Sequence, residues 1–158
     1  MYDFSWHKRH GEETMASAEA TLSILLDIFK PKDILDVGCG DGIWLKKAKE
    51  LGFAVAKGVD GPWTNLEELL IPAKDVTIHD LEESFYLGRK FDIAISLEVA
   101  EHVSNKSSDI MVDNLVKHSD VILFGAAIPY QGGSVTLTKC GSLGGRVSSQ
   151  KEVTSILT

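Results

Sequence analysis

The sequence predicts an α/β fold with a doubly wound, mostly parallel sheet, and three observations lead to this prediction. Short apolar runs that are typical of buried strands alternate with segments of helical periodicity. A glycine-rich turn joins the first predicted strand to the helix after it. Acidic residues stand at or near the ends of three successive strands: Asp36, Asp60 and Asp80. Because alternating strands and helices form βαβ units, the strands are expected to be parallel.

The first three elements are defined by apolar spacing and by the residues that end them. A helix is predicted over 12–29, where apolar residues recur at helical spacing until Pro31 stops the pattern. The strand 33–37 is mostly apolar, which indicates burial on both faces. After the glycine turn, a helix over 43–51 has its apolar residues on one side, and Gly52 ends it.

The next elements continue the alternation of strands and helices. Strands are predicted over 53–59, 75–79, 91–97 and 121–126, and helical segments over 65–70 and 109–118.

Composition and charge exclude several classes of function. The chain has 158 residues with a formal net charge of −7, which disfavours a broad nucleic-acid surface. Its two cysteines, Cys39 and Cys140, stand in dissimilar contexts and give neither a disulfide framework nor a zinc-ligand spacing, so a cytoplasmic location is expected. No apolar run approaches the roughly 20 residues that cross a bilayer, so no membrane partner is expected. The oligomeric state is not predicted.

The turn Gly38-Cys39-Gly40-Asp41-Gly42 has the context of a ligand-binding loop. Glycines let backbone N–H groups approach a ligand closely, although such a turn alone is also typical of an ordinary tight bend. The spacing GxGxG differs from the GxGxxG of nicotinamide-dependent enzymes, which disfavours an oxidoreductase. Asp60 can accept both hydroxyls of a ribose, and Asp80 can accept an adenine amino group.

Four segments, 34–42, 59–61, 79–81 and 91–102, resemble in order and spacing the motifs of class I S-adenosylmethionine-dependent methyltransferases. The resemblance spans roughly Lys32 to Gly133. It implies a Rossmann-like methyltransferase sheet with strand order 3-2-1-4-5 and S-adenosylmethionine as the cofactor.

The resemblance also implies which residues bind the cofactor. The first two glycines of the turn would pass close to the methionine part, Asp60 would hold the ribose, and Asp80 with Leu81 would bind the adenine edge. Trp63 would stack on the adenine, or it is simply a core or surface aromatic residue. The complete expected set is Asp36, Gly38, Cys39, Gly40, Asp60, Gly61, Trp63, Asp80, Leu81, Leu97 and Glu98.

The run Glu98-Val99-Ala100-Glu101-His102 follows the fourth strand and allows three interpretations. It resembles a run in ubiquinone-biosynthesis O-methyltransferases and small-RNA 2′-O-methyltransferases that contributes metal ligands, and Glu98, Glu101 and His102 are chemically able to hold a divalent ion. Alternatively, His102 acts as a general base on a substrate hydroxyl. In the third interpretation, these residues only cap the next helix and shape the floor of the pocket. We take Glu101 and His102 as catalytic candidates and do not expect a metal.

The chain changes character after Gly133. Residues 134–158 show no sustained period, so we predict an irregular or disordered tail beside a methyltransferase-type domain over 1–133. A complete class I domain has a further helix and two further strands, which we expect to be missing, leaving the fifth strand as an exposed edge. A shifted reading frame can encode a tryptophan-rich amphipathic helix here, and we hypothesise that the tail is out of frame.

These observations support two hypotheses. The first is an S-adenosylmethionine-dependent methyltransferase that acts on a small hydroxyl-bearing metabolite, with a sugar as one example. The second is a non-catalytic or vestigial cofactor-binding domain that has lost its substrate half.

Overall fold

The computed structural model describes residues 4–104, 106–128 and 132–139. They form three α-helices and one six-stranded sheet. In chain order the elements are α1 (Phe4–Phe29), β1 (Asp33–Val37), α2 (Ile43–Glu50), β2 (Val55–Asp60), β3 (Val76–Ile78), β4 (Ile93–Leu97), α3 (Ser108–His118), β5 (Val121–Ile128) and β6 (Gly132–Lys139).

The sheet has the order β3-β2-β1-β4-β5-β6, and this confirms the predicted 3-2-1-4-5 arrangement of the first five strands. All pairs among these five strands are parallel, with Asp36 on β1 opposite Gly58 on β2. The strand order reverses direction at β1, since β2 lies on one side of it and β4 on the other. In sheets of this kind a crevice opens at that point, beyond the carboxyl ends of the strands.

Two apolar clusters cover the two faces of the sheet. Ile34 and Leu35 are adjacent on β1 and fully buried, yet they belong to different clusters because successive strand residues point to opposite faces. The first cluster includes Leu22 of α1 and Leu45 of α2, whereas the second includes Met111 of α3. The central strands are therefore buried on both sides, as the apolar run at 33–37 predicted.

Two predicted helices differ from the observed ones. The first helix begins at Phe4 rather than at residue 12. The segment 65–70 is not helical, because the Asn65 side chain accepts the N–H of Glu67 at 3.1 Å and stabilises a turn instead. The end of this loop is tied to the glycine turn, since the N–H of Leu70 donates to the carbonyl of Asp41 at 2.8 Å.

The prediction that no strand follows Gly133 is wrong. Residues Gly132–Lys139 form β6, which pairs antiparallel with β5, so β5 is not an exposed edge. The run Ser-Val-Thr-Leu-Thr at 134–138 alternates polar and apolar residues, a strand pattern too short to count as a sustained period. Residues 140–158 lie outside the described part, so the irregular tail there and the shifted frame stay predictions. In the described ranges, no helix has the length and hydrophobicity needed to span a bilayer.

Candidate active site

The glycine turn packs directly against the segment that follows β4. Gly38 has a φ of 87°, and its N–H donates to the carbonyl of Val59 at 2.8 Å. A Cβ at this position would lie 2.3 Å from Cγ2 of Val99, closer than real Cβ contacts come. Only glycine adopts this left-handed conformation easily and also leaves room for the Val99 side chain. Glycine at position 38 therefore allows the end of β1 to pack closely against the segment that follows β4.

Asp60 ends β2 and holds the turn from the neighbouring strand. Its carboxylate accepts the N–H of Gly40 and, at 2.6 Å, the N–H of Gly61. Asp60 is 5% exposed, so these hydrogen bonds form in a partly desolvated setting. A carboxylate has about four lone-pair sites, and the two amides leave acceptor capacity on the open side.

Asp36 is buried beneath the turn, with 3% of its surface exposed. Burial, and then the negative charges of Asp60 and Asp41, raise its pKa to about 8. The charges of Asp60 and Asp41 make the strand ends a region of negative potential, which favours a cationic ligand, whereas Asp36 keeps its proton below a pH of about 8. Burial also raises the pKa of the Cys39 thiol, and the side chain lies in the apolar core. Cys39 is thus a packing residue and not a nucleophile.

Glu98 follows β4 in a left-handed conformation, with a φ of 56°. Its N–H donates to the carbonyl of Gly125 on β5 at 2.9 Å, which holds the strained residue in place. Burial and the adjacent Glu101 carboxyl, through its charge and a hydrogen bond, raise the pKa of Glu98, while His102 opposes the rise. Glu101 and His102 lie on a short 3₁₀ turn and are exposed. The three side chains therefore share one rim.

A cavity of about 450 Å³, here called the strand-end cavity, opens between these groups. The volume lies in the usual range for a site that binds a small molecule. Trp63 forms one wall: it is 71% exposed, and its ring lies so close to Gly61 that a Cβ there would come within 2.2 Å of it. The residues that line the cavity are Gly38, Asp60, Trp63, Leu81, Glu98, Val99 and His102.

The profile of a family described as "Methyltransferase domain" matches residues 6–118. The chain belongs to this methyltransferase-domain family. Ubiquinone biosynthesis O-methyltransferases are among its curated relatives. The protein from Rickettsia conorii is 38% identical over 91 residues, which are 54% of this chain and 30% of that one. The protein from Bartonella quintana is 31% identical over 105 residues, 61% of this chain and 41% of that one.

The chain thus spans less than half the length of these relatives. Their names refer to ubiquinone biosynthesis and not to sugars, so the comparison corrects the sugar example given above.

Solved structures show the same fold. Magnesium protoporphyrin IX methyltransferase from Synechocystis, with S-adenosylhomocysteine bound, has a TM-score of 0.60 at 22% identity over 83% of this chain and 63% of that one. DesVI from Streptomyces venezuelae has a TM-score of 0.63 at 20% identity over 85% of this chain and 62% of that one. The fold of the methyltransferase domain is therefore the class I fold that the motifs predicted.

In the methyltransferase domain, six of the predicted site residues line the strand-end cavity: Gly38, Asp60, Trp63, Leu81, Glu98 and His102. Gly40 lines a neighbouring cavity, while Asp36, Gly61 and Glu101 are not among the residues that line either one. The three other predicted residues lie elsewhere. Asp80 is exposed, and its Oδ1 accepts the N–H of Glu82 at 2.9 Å in a local turn. Cys39 lies in the core, and half-buried Leu97 lines a different cavity. The sequence analysis missed Val99, although an apolar residue directly after the polar Glu98 was a usable signal for a buried contact.

The donor groups beyond β4 do not form a metal site in this structure. Across residues 4–104, 106–128 and 132–139, no three His, Cys, Asp or Glu side chains are grouped to hold one ion. Glu98, Glu101 and His102 therefore share a rim without converging on a common point.

Proposed function

We propose that this chain binds S-adenosylmethionine in the strand-end cavity and transfers its methyl group to an oxygen atom of a small molecule. The observation that carries this proposal is the meeting of Gly38, Asp60 and Leu81, from the ends of three different strands, around one cavity of about 450 Å³. Each of the three belongs to a different motif at or just after the end of a different strand, and each was expected to bind a part of the same cofactor. The curated relatives, which are named O-methyltransferases, support oxygen as the acceptor atom.

The residues of the cavity fit the proposed cofactor. A Cβ at Gly40 would meet nothing within 4 Å, so the turn leaves open space where a ligand can approach the backbone. Asp60 keeps free acceptor capacity for ribose hydroxyls, and the negative charges of Asp60 and Asp41 favour a sulfonium or ammonium group nearby. Trp63 offers an aromatic face for an adenine ring.

The bound cofactor supplies an electrophilic methyl group, and the protein aligns the acceptor with it. Transfer of that methyl group to an acceptor oxygen would release S-adenosylhomocysteine and would require a base of this chain to accept the hydroxyl proton. His102 lines the cavity and Glu101 stands beside it on the same rim, so these two residues are the proposed proton acceptors.

Calorimetric titration with S-adenosylhomocysteine and with NAD tests the cofactor proposal. We expect micromolar binding of S-adenosylhomocysteine and no binding of NAD; the reverse result overturns the proposal. Methyl transfer to a panel of small hydroxylated molecules, measured as S-adenosylhomocysteine release, then tests the activity. Binding without release on any acceptor would favour the non-catalytic alternative.

A further inference from the structure

A second and larger cavity, of about 710 Å³, lies between α1, α2, the carboxyl end of β4 and the first half of β5. We call it the helix-lined cavity. Trp44 and Ile43 come from α2, and Leu97 and Leu123 come from the sheet. The side facing α1 is formed by small or polar residues, which leave room for a ligand: Glu13, Thr14, Ser17, Ala20 and Thr21.

The two cavities meet at one residue. Glu98 lines both the strand-end cavity and the helix-lined cavity, and its backbone is held by the bond to Gly125. Molecules bound in the two cavities would therefore be neighbours across the Glu98 side chain. Methyl transfer requires such proximity, since reacting atoms must come within about 3.5 Å of each other.

The chemistry of the lining restricts what the cavity can hold. Trp44 provides an aromatic face, and Leu97 and Leu123 provide apolar surface, which together favour a flat, apolar ring. The charged residues among the described lining are Glu13 and Glu98, both acidic, and no lysine or arginine lies among them. Among these described residues, an anionic ligand would meet two like charges and no cationic partner.

We propose that the helix-lined cavity is the acceptor site and that it takes an electrically neutral aromatic molecule with a free hydroxyl group. This inference rests on the proposed function, because it assigns the acceptor to the cavity beside the cofactor. Glu98 positions the acceptor by accepting a hydrogen bond from its hydroxyl.

Two catechols of similar size test the inference: 4-methylcatechol, which is neutral, and 3,4-dihydroxybenzoate, which is anionic. Calorimetry without cofactor should show 4-methylcatechol binding at least about tenfold more tightly than the carboxylate, because of the two acidic groups. Ala20→Trp fills the cavity from α1 and should weaken binding of 4-methylcatechol by at least about tenfold.

Ala16→Trp is the matched control, since Ala16 is an exposed residue of the same helix that does not line the cavity. It should change the affinity by less than about twofold. Ser17→Phe provides a second cavity-filling variant if Ala20→Trp fails to fold. Equal binding of the two probes, or equal binding by wild type and the cavity-filling variants, would overturn the inference.

Titration of the same variants with S-adenosylhomocysteine separates the two proposals. If wild type binds S-adenosylhomocysteine but not 4-methylcatechol, the acceptor inference fails and the cofactor proposal stands. If it does not bind S-adenosylhomocysteine, the proposed function fails, and the two phenolic probes still decide whether the helix-lined cavity is a binding site.

Discussion

The strand-end cavity and the helix-lined cavity share Glu98 but are constructed differently. The first is built around backbone hydrogen bonds and close contacts at Gly38, Gly40 and Gly61, each fixed by one or two neighbouring residues. The second is formed by side chains of two helices and two strands that are distant in sequence. A single substitution should therefore disrupt the first cavity sharply, whereas the second should respond mainly to changes in volume and charge.

The largest effect is expected for Gly38→Ala. The added methyl group would collide with Val99 at a backbone φ of 87°, and we expect a loss of about 3 kcal/mol in the free energy of unfolding together with loss of S-adenosylhomocysteine binding. Urea denaturation and calorimetry measure the two effects.

Gly88→Ala is the control for this substitution, because Gly88 has a φ of 78° and nothing within 4 Å of an added Cβ. It should cost about 1 kcal/mol and leave the affinity unchanged. Adding Val99→Ala to Gly38→Ala should recover part of the lost stability. If the two alanine variants are equally stable, the contact between Gly38 and Val99 does not define the cavity.

Asp60→Asn tests the hydrogen bonds by which the Asp60 carboxylate holds the glycine turn. Asparagine keeps one acceptor oxygen, so only one of the N–H groups of Gly40 and Gly61 keeps its acceptor, and the negative charge is lost. We expect about hundredfold weaker binding of S-adenosylhomocysteine. Asp80→Asn should weaken binding by less than about threefold, because Asp80 is exposed and engaged in its own turn. A comparable loss in both variants would instead return Asp80 to the adenine-binding role that the motif implied.

The strand-end cavity could be predicted because its determinants are local. Gly38 and Asp60 each end a strand, and parallel strands bring such ends to one edge of the sheet. The helix-lined cavity could not be predicted, because it depends on how α1 packs relative to β4 and β5, which no short pattern encodes. The strand β6 was missed for a similar reason, since its stability comes from pairing with β5.

Asp36→Asn tests whether the buried carboxyl group beneath the glycine turn makes stability depend on pH. The folded protein holds a proton on Asp36 up to a pH of about 8, whereas the unfolded chain releases it near 3.8. Between these values the unfolded state binds fewer protons, so the free energy of unfolding of the wild type falls as the pH rises. The decline from this group is about 1.4 kcal/mol per pH unit, so we expect a loss of about 2 kcal/mol between pH 6 and pH 7.5, which Asp36→Asn should abolish. Identical pH profiles for the two proteins, from urea denaturation at several pH values, would contradict this account.

The smallest effect is expected for Trp63→Ala, which distinguishes the stacking role of Trp63 from that of an ordinary surface aromatic residue. Stacking on adenine contributes about 1 kcal/mol, so S-adenosylhomocysteine should bind about fivefold more weakly. Stability should not change, since Trp63 is 71% exposed. Tyr86→Ala is the matched control, because Tyr86 is 60% exposed and packs against His118, away from the cavity. Unchanged affinity in Trp63→Ala would mean that Trp63 does not stack on the cofactor. Binding in the strand-end cavity would then depend on backbone and carboxylate groups, whereas the helix-lined cavity is formed by side chains.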